Sequence, residues 1–153
     1  MENKKVKNAT PNEYNGIKFK SLLEVMVYKT LLQEGFNPSY EPTKYPVWRG
    51  FKPEVPFYKP DSRGNLELQT KKIIDITYTP DFLFLAPDNK TVILFEVKGG
   101  YENDTYPLKE KMFRKYLEDL YKTRNQTTMF FKIRNKKQCL EAIKIIKEAY
   151  GTN

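Results

Sequence analysis

Apolar and polar positions along this chain follow two different periods. A helical spacing runs from about Phe19 to Glu34, where Leu22, Leu23, Met26, Val27 and Leu31, joined by Val25 and Leu32, form a broad stripe that Gly35 ends as a C-cap. A stripe that wide predicts a largely buried helix. Tyr40 to Trp48 reads as a short extended piece interrupted by Pro42 and Pro46, which confines it to a sheet edge. Lys71 to Tyr78, with Ile73, Ile74 and Ile76, predicts a strand leading into Thr79-Pro80-Asp81. The segments DFLFLA (81–86) and TVILFEVK (91–98) are apolar and aromatic almost throughout, and Pro87-Asp88-Asn89-Lys90 between them is turn chemistry. They predict an antiparallel hairpin buried on both faces, in a central sheet covered by helices.

Beyond Gly99-Gly100 a polar loop leads to Pro107, which opens a helix with Leu108, Met112, Phe113, Tyr116, Leu117 and Leu120 on one face. Thr127 to Ile133 predicts a strand. Asn135 then caps a final helix whose apolar face carries Leu140, Ile143, Ile146 and Tyr150. Residues 1–15 are polar and lysine-rich without periodicity and read as a flexible N-terminal arm. Residues 49–69 carry Pro53, Pro56, Pro60 and Gly64 among aromatic and charged residues and read as an insertion or long functional loop. The expectation is an α/β fold, one domain over residues 16–153 interrupted by that insertion.

Composition narrows the chemistry. In 153 residues with 39% hydrophobic content there is material for one sizeable core. No apolar run of about eighteen residues and no signal-like leader is present, so the expectation is a soluble intracellular protein with no membrane partner. The chain has no histidine, which removes histidine bases, Ser-His-Asp triads and histidine-metal nucleases. Its single cysteine, Cys139, rules out an intrachain disulfide and multi-cysteine zinc sites. Lys and Arg outnumber Asp and Glu by 27 to 19, and the resulting charge of +8 biases the surface toward polyanions such as nucleic acid.

The hairpin carries the candidate chemistry. A symmetric turn centred between Asp88 and Asn89 sets Asp81 opposite Glu96, with Cβ atoms of such a pair about 5 Å apart on one face, and strand alternation adds Lys98 to that face. Two facing carboxylates repel, or hold one proton, unless a cation lies between them, and Mg²⁺ or Mn²⁺ suits carboxylate, carbonyl and water oxygens. Lys98 is then positioned to orient or deprotonate an attacking water or to stabilise charge on a phosphate. The plainer alternative is that Asp81 starts a strand and Glu96 pairs with Lys98 near a sheet edge. The coincidence of Pro-Asp, an apolar strand, a turn of matching length and Glu-Val-Lys favours the chemical reading. Glu24 has two readings as well: the capping box Ser21-Leu-Leu-Glu24, or a carboxylate that ligates metal or positions water. Tyr14, Lys109 and Lys111 are candidates for phosphate contact, against solvated surface. Trp48, Phe51, Phe57 and Tyr58 either stack on bases or pack their loop.

Three stretches, Tyr14-Asn15-Gly16-Ile17-Lys18-Phe19-Lys20-Ser21-Leu22-Leu23-Glu24, Tyr78-Thr79-Pro80-Asp81-Phe82 and Phe95-Glu96-Val97-Lys98-Gly99-Gly100, resemble the phage-type PD-(D/E)xK endonucleases, a group similar to the phage junction-resolving endonuclease I. The resemblance runs from about Tyr14 to Leu120. It implies a restriction-endonuclease-like αβββαβ core with a central mixed sheet flanked by helices, and phosphodiester hydrolysis. It implies Mg²⁺ held by Asp81, Glu96 and the Val97 carbonyl, with Glu24 assisting and Lys98 as the motif lysine. Many such enzymes act as homodimers on branched or junction DNA. Two other expectations stay open: a nucleic-acid-binding or assembly protein that keeps the fold without cleaving, and a transposase-subunit or restriction-type nuclease.

Overall fold

The computed structural model describes residues 12–100 and 105–151. In chain order its elements are β1 (Glu13–Tyr14), β2 (Ile17–Lys18), α1 (Leu22–Gln33), β3 (Ser39–Tyr40), β4 (Tyr45–Trp48), β5 (Tyr58–Pro60) and β6 (Leu66–Leu68). They continue with β7 (Ile76–Tyr78), β8 (Phe82–Leu85), β9 (Val92–Val97), α2 (Tyr106–Arg124), β10 (Thr128–Ile133) and α3 (Lys136–Tyr150). Among the described residues the result is a mixed α/β fold with three helices and a central four-stranded sheet in the order β10-β9-β8-β3. Strand β9 is antiparallel to β8 and parallel to β10.

The central register follows from the turn. Asp88 accepts the backbone N–H groups of Lys90 and Thr91 and the Thr91 hydroxyl, and Asn89 takes the left-handed conformation (φ 59°) that asparagine tolerates. With the loop closed by Ala86 N–H to the Thr91 carbonyl, the ladder pairs Leu85 with Val92 and runs down to Phe82 opposite Phe95. Alternation then divides the side chains. Phe82, Phe84, Phe95 and Val97 pack with Val27 and Leu31 of α1 and Cys139, Ile143 and Ile146 of α3. Leu94 and Tyr78 pack with Phe113 and Tyr106 of α2 on the other side. Each such fully buried aliphatic or phenyl group contributes about 1.5–3 kcal/mol of transfer free energy, so both faces are held by the hydrophobic effect.

Several boundaries differ from the sequence expectation for local reasons. Helix α1 starts at Leu22 because Ser21 is extended (φ −152°) and its hydroxyl accepts the Glu24 N–H at 3.1 Å, the geometry of an N-cap. Leu22 is consequently exposed instead of joining the stripe. In α3 the buried face is Cys139, Ala142, Ile143 and Ile146, and Leu140 points outward. The 40–48 piece is two strands, separated near Glu41, whose φ is +48°. Of the strand expected over Lys71 to Tyr78 only Ile76–Tyr78 belongs to an extended ladder, paired with β4. The expected arm falls outside the described residues up to residue 11, but Glu13–Tyr14 already pairs with Ile17–Lys18 around Asn15-Gly16. Both turn residues have positive φ, 54° and 77°, as a two-residue hairpin turn requires. Residues 101–104 of the polar loop after Gly100 also lie outside the described residues.

The insertion is the largest departure. It is a paired ribbon and not an irregular loop: Trp48 stands opposite Ile76, Phe51 bridges Ile73, Gln69 N–H reaches the Phe57 carbonyl, and β5 pairs with β6 around a turn tied by Asp61. Gly50 allows the two chains to meet, since a Cβ there lies 2.0 Å from the Ile73 carbonyl oxygen. No described helix is long and apolar enough to cross a membrane.

Asn135 accepts the Gln138 N–H at 2.8 Å and caps α3. Asn135→Ala is expected to cost about 1 kcal/mol and lower Tm by about 2–4 °C, read by thermal denaturation; an unchanged Tm contradicts the cap's contribution.

Candidate functional site

The β8–β9 register ends one step short of Asp81 and Glu96, and continuing it places these two acids across from each other where the sheet opens. Both are buried, at 7% and 6% exposure. The Asp81 carboxylate turns toward β9 and accepts the Val97 N–H at 2.7 Å. In extended backbone a residue's N–H and C=O point the same way, so the Val97 carbonyl faces the same side as Asp81. Glu96 accepts a 2.5 Å hydrogen bond from the Tyr78 hydroxyl, and Lys98 Nζ stands 3.5 Å from its other oxygen. Lys98 also lies 4.0 Å above the Tyr106 ring, a cation–π contact that restricts its reach.

Glu24 joins them from α1. It is 5% exposed, its Oε1 accepts the Lys20 N–H at 2.8 Å and the Tyr40 hydroxyl at 2.9 Å, and its carboxyl lies within hydrogen-bonding reach of Asp81. Both readings of Glu24 therefore describe it. Its backbone N–H meets the Ser21 hydroxyl, while its side chain reaches back past the cap residue to Lys20 and sideways to the acidic pair.

The electrostatics follow from crowding in a dry place. Burial pushes the Asp81 carboxyl up to about 8, with Glu96 and Glu24 adding to the rise and the Val97 N–H opposing it. Burial also raises Glu96, against the Tyr78 hydrogen bond and Lys98, which favour its ionised form. The tyrosines respond in turn: burial and the neighbouring carboxylates hold the Tyr78 and Tyr40 hydroxyls far above the ordinary phenol range, so both remain donors.

Such a set of hard oxygens with unbalanced negative charge suits a hard cation. Among the described residues no three acidic, histidine or cysteine side chains are gathered as a ready-made cage. Magnesium-type ions do not require one, because they commonly take one or two carboxylates and keep several waters. Asp81, Glu96 and the Val97 carbonyl fit that pattern, with Glu24 placed to act through Asp81 or a water.

The remaining sequence candidates sit elsewhere. Tyr14 packs edge-on to Tyr28, 6.0 Å between ring centroids, with Lys29 over its ring, one turn beyond Glu24 on α1. Lys109 is half-buried one turn after Tyr106, whereas Lys111 is exposed and helical geometry turns it away from the Tyr106 face. Sequence reasoning passed over Tyr78, Tyr40, Tyr106 and Lys132. Lys132 is the β10 partner of Glu96, with its Nζ 4.8 Å from the Tyr106 ring and 3.2 Å from Glu110. The one available signal was a lone cation inside the apolar strand TMFFKI; nothing in the spacing distinguished these tyrosines from core aromatics.

Because the Asp81 carboxyl holds its proton to higher pH when folded than when unfolded, the folded state binds more protons between 3.8 and about 8, and metal-free stability falls as pH rises through that window. Asp81→Asn keeps an acceptor for the Val97 N–H and removes the charge. It is expected to raise Tm near pH 8 by about 3 °C or more and to change it little near pH 4, measured by thermal denaturation in EDTA. A variant less stable than wild type at both pH values contradicts the repulsion.

Comparison with family models, curated proteins and solved structures yields no match to this chain.

Proposed function

We propose that this chain is a metal-dependent DNA endonuclease of the PD-(D/E)xK type that hydrolyses phosphodiester bonds, with branched DNA as the favoured substrate. The observation that carries the reading is the buried Asp81–Glu96 pair at the end of the β8–β9 hairpin, with Lys98 on the Glu96 side. Repulsion in such a pair is tolerated at a cost in stability and is relieved when a cation is held between the oxygens. The order α1, β3, β8, β9, α2, β10, with the β4–β7 ribbon inserted after β3, supports it as an αβββαβ arrangement. The charge of +8 supports a polyanionic substrate.

In this reading Asp81, Glu96 and the Val97 carbonyl hold Mg²⁺ or Mn²⁺, which when bound supplies Lewis-acid stabilisation of charge on the phosphate. Tyr78 donates to Glu96, which favours its ionised form against the effect of burial and fixes its direction. Lys98, confined between Glu96 and the Tyr106 ring, orients the attacking water or meets the charge developing on the phosphate oxygens. Glu24, held by Lys20 and Tyr40, positions Asp81 and a water near it. Lys109 stands near enough to the start of α2 to contact a flanking phosphate.

Incubation of supercoiled plasmid, linear duplex, flap and four-way junction DNA with Mg²⁺ tests the reading. Cleavage with preference for the junction is expected; equal cutting of every substrate removes the branch preference, and no nicking at any metal concentration removes the nuclease. Asp81→Asn and Glu96→Gln are expected to abolish cleavage, and Lys98→Ala to slow it by about 10²–10⁴-fold. Saturating Mg²⁺ is expected to raise the wild-type Tm near pH 8 by about 3 °C or more and to leave Asp81→Asn unmoved, a readout that does not depend on turnover.

A further inference from the structure

The ribbon inserted between β4 and β7 exposes an unusual amount of apolar surface. In β5–β6 the cross-strand pairs Tyr58/Leu68 and Pro60/Leu66 share one face, while Lys59 and Glu67 stand on the other, and every one of these residues is exposed. Nearer the base, on the Lys59 and Glu67 side, Phe51, Val55, Phe57 and Ile73 line a groove of about 540 Å³ together with Lys52, Glu54 and Lys71. Val55 is 79% exposed and Phe57 60%. A two-stranded ribbon gains its stability from a covered face, and among the described residues nothing covers these side chains.

The occupant is argued from what surrounds the patch. The segments 1–11, 101–104 and 152–153 are polar in sequence, and the longest carries lysines at positions 4, 5 and 7, a composition that does not match an apolar face. Between residues 48 and 76, six Lys and Arg stand against four Asp and Glu. A second copy docked on this face brings that excess positive charge against itself, which opposes association. A polyanion is attracted by it. Duplex DNA keeps its base faces stacked inside and offers phosphates and groove edges, which use lysines but leave phenyl rings and valines uncovered. Unpaired nucleotides offer both a charged backbone and free base faces for aromatic stacking.

Position points the same way. Strands β4 and β7 begin at Tyr45 opposite Tyr78 and reach the ribbon at Trp48 opposite Ile76. Tyr78 holds Glu96, so the ribbon starts two strand residues, about 7 Å along β7, from the residue whose hydroxyl bonds the carboxylate site. A strand seated on Trp48, Phe51 and Phe57 therefore leads toward the acidic pair. From this we infer that the ribbon of residues 48–76 is a binding arm for unpaired nucleotides, with Trp48, Phe51 and Phe57 stacking on bases and Lys52, Lys59 and Lys71 meeting the backbone. The inference deepens the nuclease reading and rests on it for the polyanion's being DNA: the arm selects substrates with a single-stranded segment beside the cut.

Trp48 is the only tryptophan of the chain and reports on the arm directly. Binding is followed in EDTA, without turnover, by Trp48 fluorescence with a short oligothymidylate and with a blunt duplex of the same length. The oligothymidylate is expected to quench Trp48, to bind more tightly than the duplex, and to lose about tenfold or more in affinity with Phe57→Ala or Phe51→Ala, while Tm stays unchanged because both side chains are exposed. Equal affinity for the two DNAs, or variants that bind like wild type, overturns it. So does a dimer by light scattering that Val55→Asp dissociates while DNA affinity is unaffected, which assigns the face to a second copy. Quenching that follows this pattern in a protein that never nicks DNA leaves the arm in place and removes the nuclease; nicking with indifferent arm variants does the reverse.

Discussion

The structure is organised around an unfavourable contact: two buried carboxylates, Asp81 and Glu96, brought toward each other by the β8–β9 register. Hydrophobic burial of Phe82, Phe84, Phe95 and Leu94 holds the strands in that register whatever the carboxylates prefer. A slip of one residue moves every phenyl ring to the wrong face, at a cost of several side chains' burial, each about 1.5–3 kcal/mol. The core thus imposes the proximity, and the acids answer by holding a proton or sharing a cation.

Around this contact the chain arranges neutral donors, with Glu24 and Lys98 as the nearest further charges. Tyr78 bonds Glu96, Tyr40 and the Lys20 N–H bond Glu24, and the Val97 N–H bonds Asp81, so each carboxylate is fixed in direction by a neutral group from a different element. Lys98 is the close cation, held between Glu96 and the Tyr106 ring. Neutral donors orient the acids without cancelling the repulsion between them, and burial with that crowding pushes the Asp81 carboxyl up to about 8. The absence of histidine gives the same chemistry from composition: carboxylates, lysine and tyrosine are the titratable groups this site has.

The ribbon of residues 48–76 is attached to the site by a direct mechanical link. Its base is the β4–β7 ladder, and the far end of that ladder is Tyr78. Gly50 lets the two chains approach, and Asp75 accepts the Gly50 N–H at 2.7 Å, which holds the ribbon's base closed. A ligand on the exposed rings and the Glu96 carboxylate are therefore two ends of one paired structure.

The hairpin, its register, the last two helices and the convergence of Asp81 and Glu96 were legible in the sequence because each rests on short-range rules: period-two apolar strands, an Asp88-Asn89 turn with one stable closure, Asn135 as a cap. The site's tyrosines were not legible, since a tyrosine donating to a buried acid has the same pattern as one packed in a core, and Tyr40 and Tyr78 reach their partners only through long-range pairing. Nor was the ribbon. Its prolines mark a loop by local rules, whereas the pairing of Trp48 with Ile76 and of Phe51 with Ile73 joins residues more than twenty positions apart, a contact that only the folded chain selects. Sequence by itself determined which acids meet; the tertiary structure decided what holds them and what projects beside them, because those partners come from strands whose neighbours are chosen by the packing of the whole sheet.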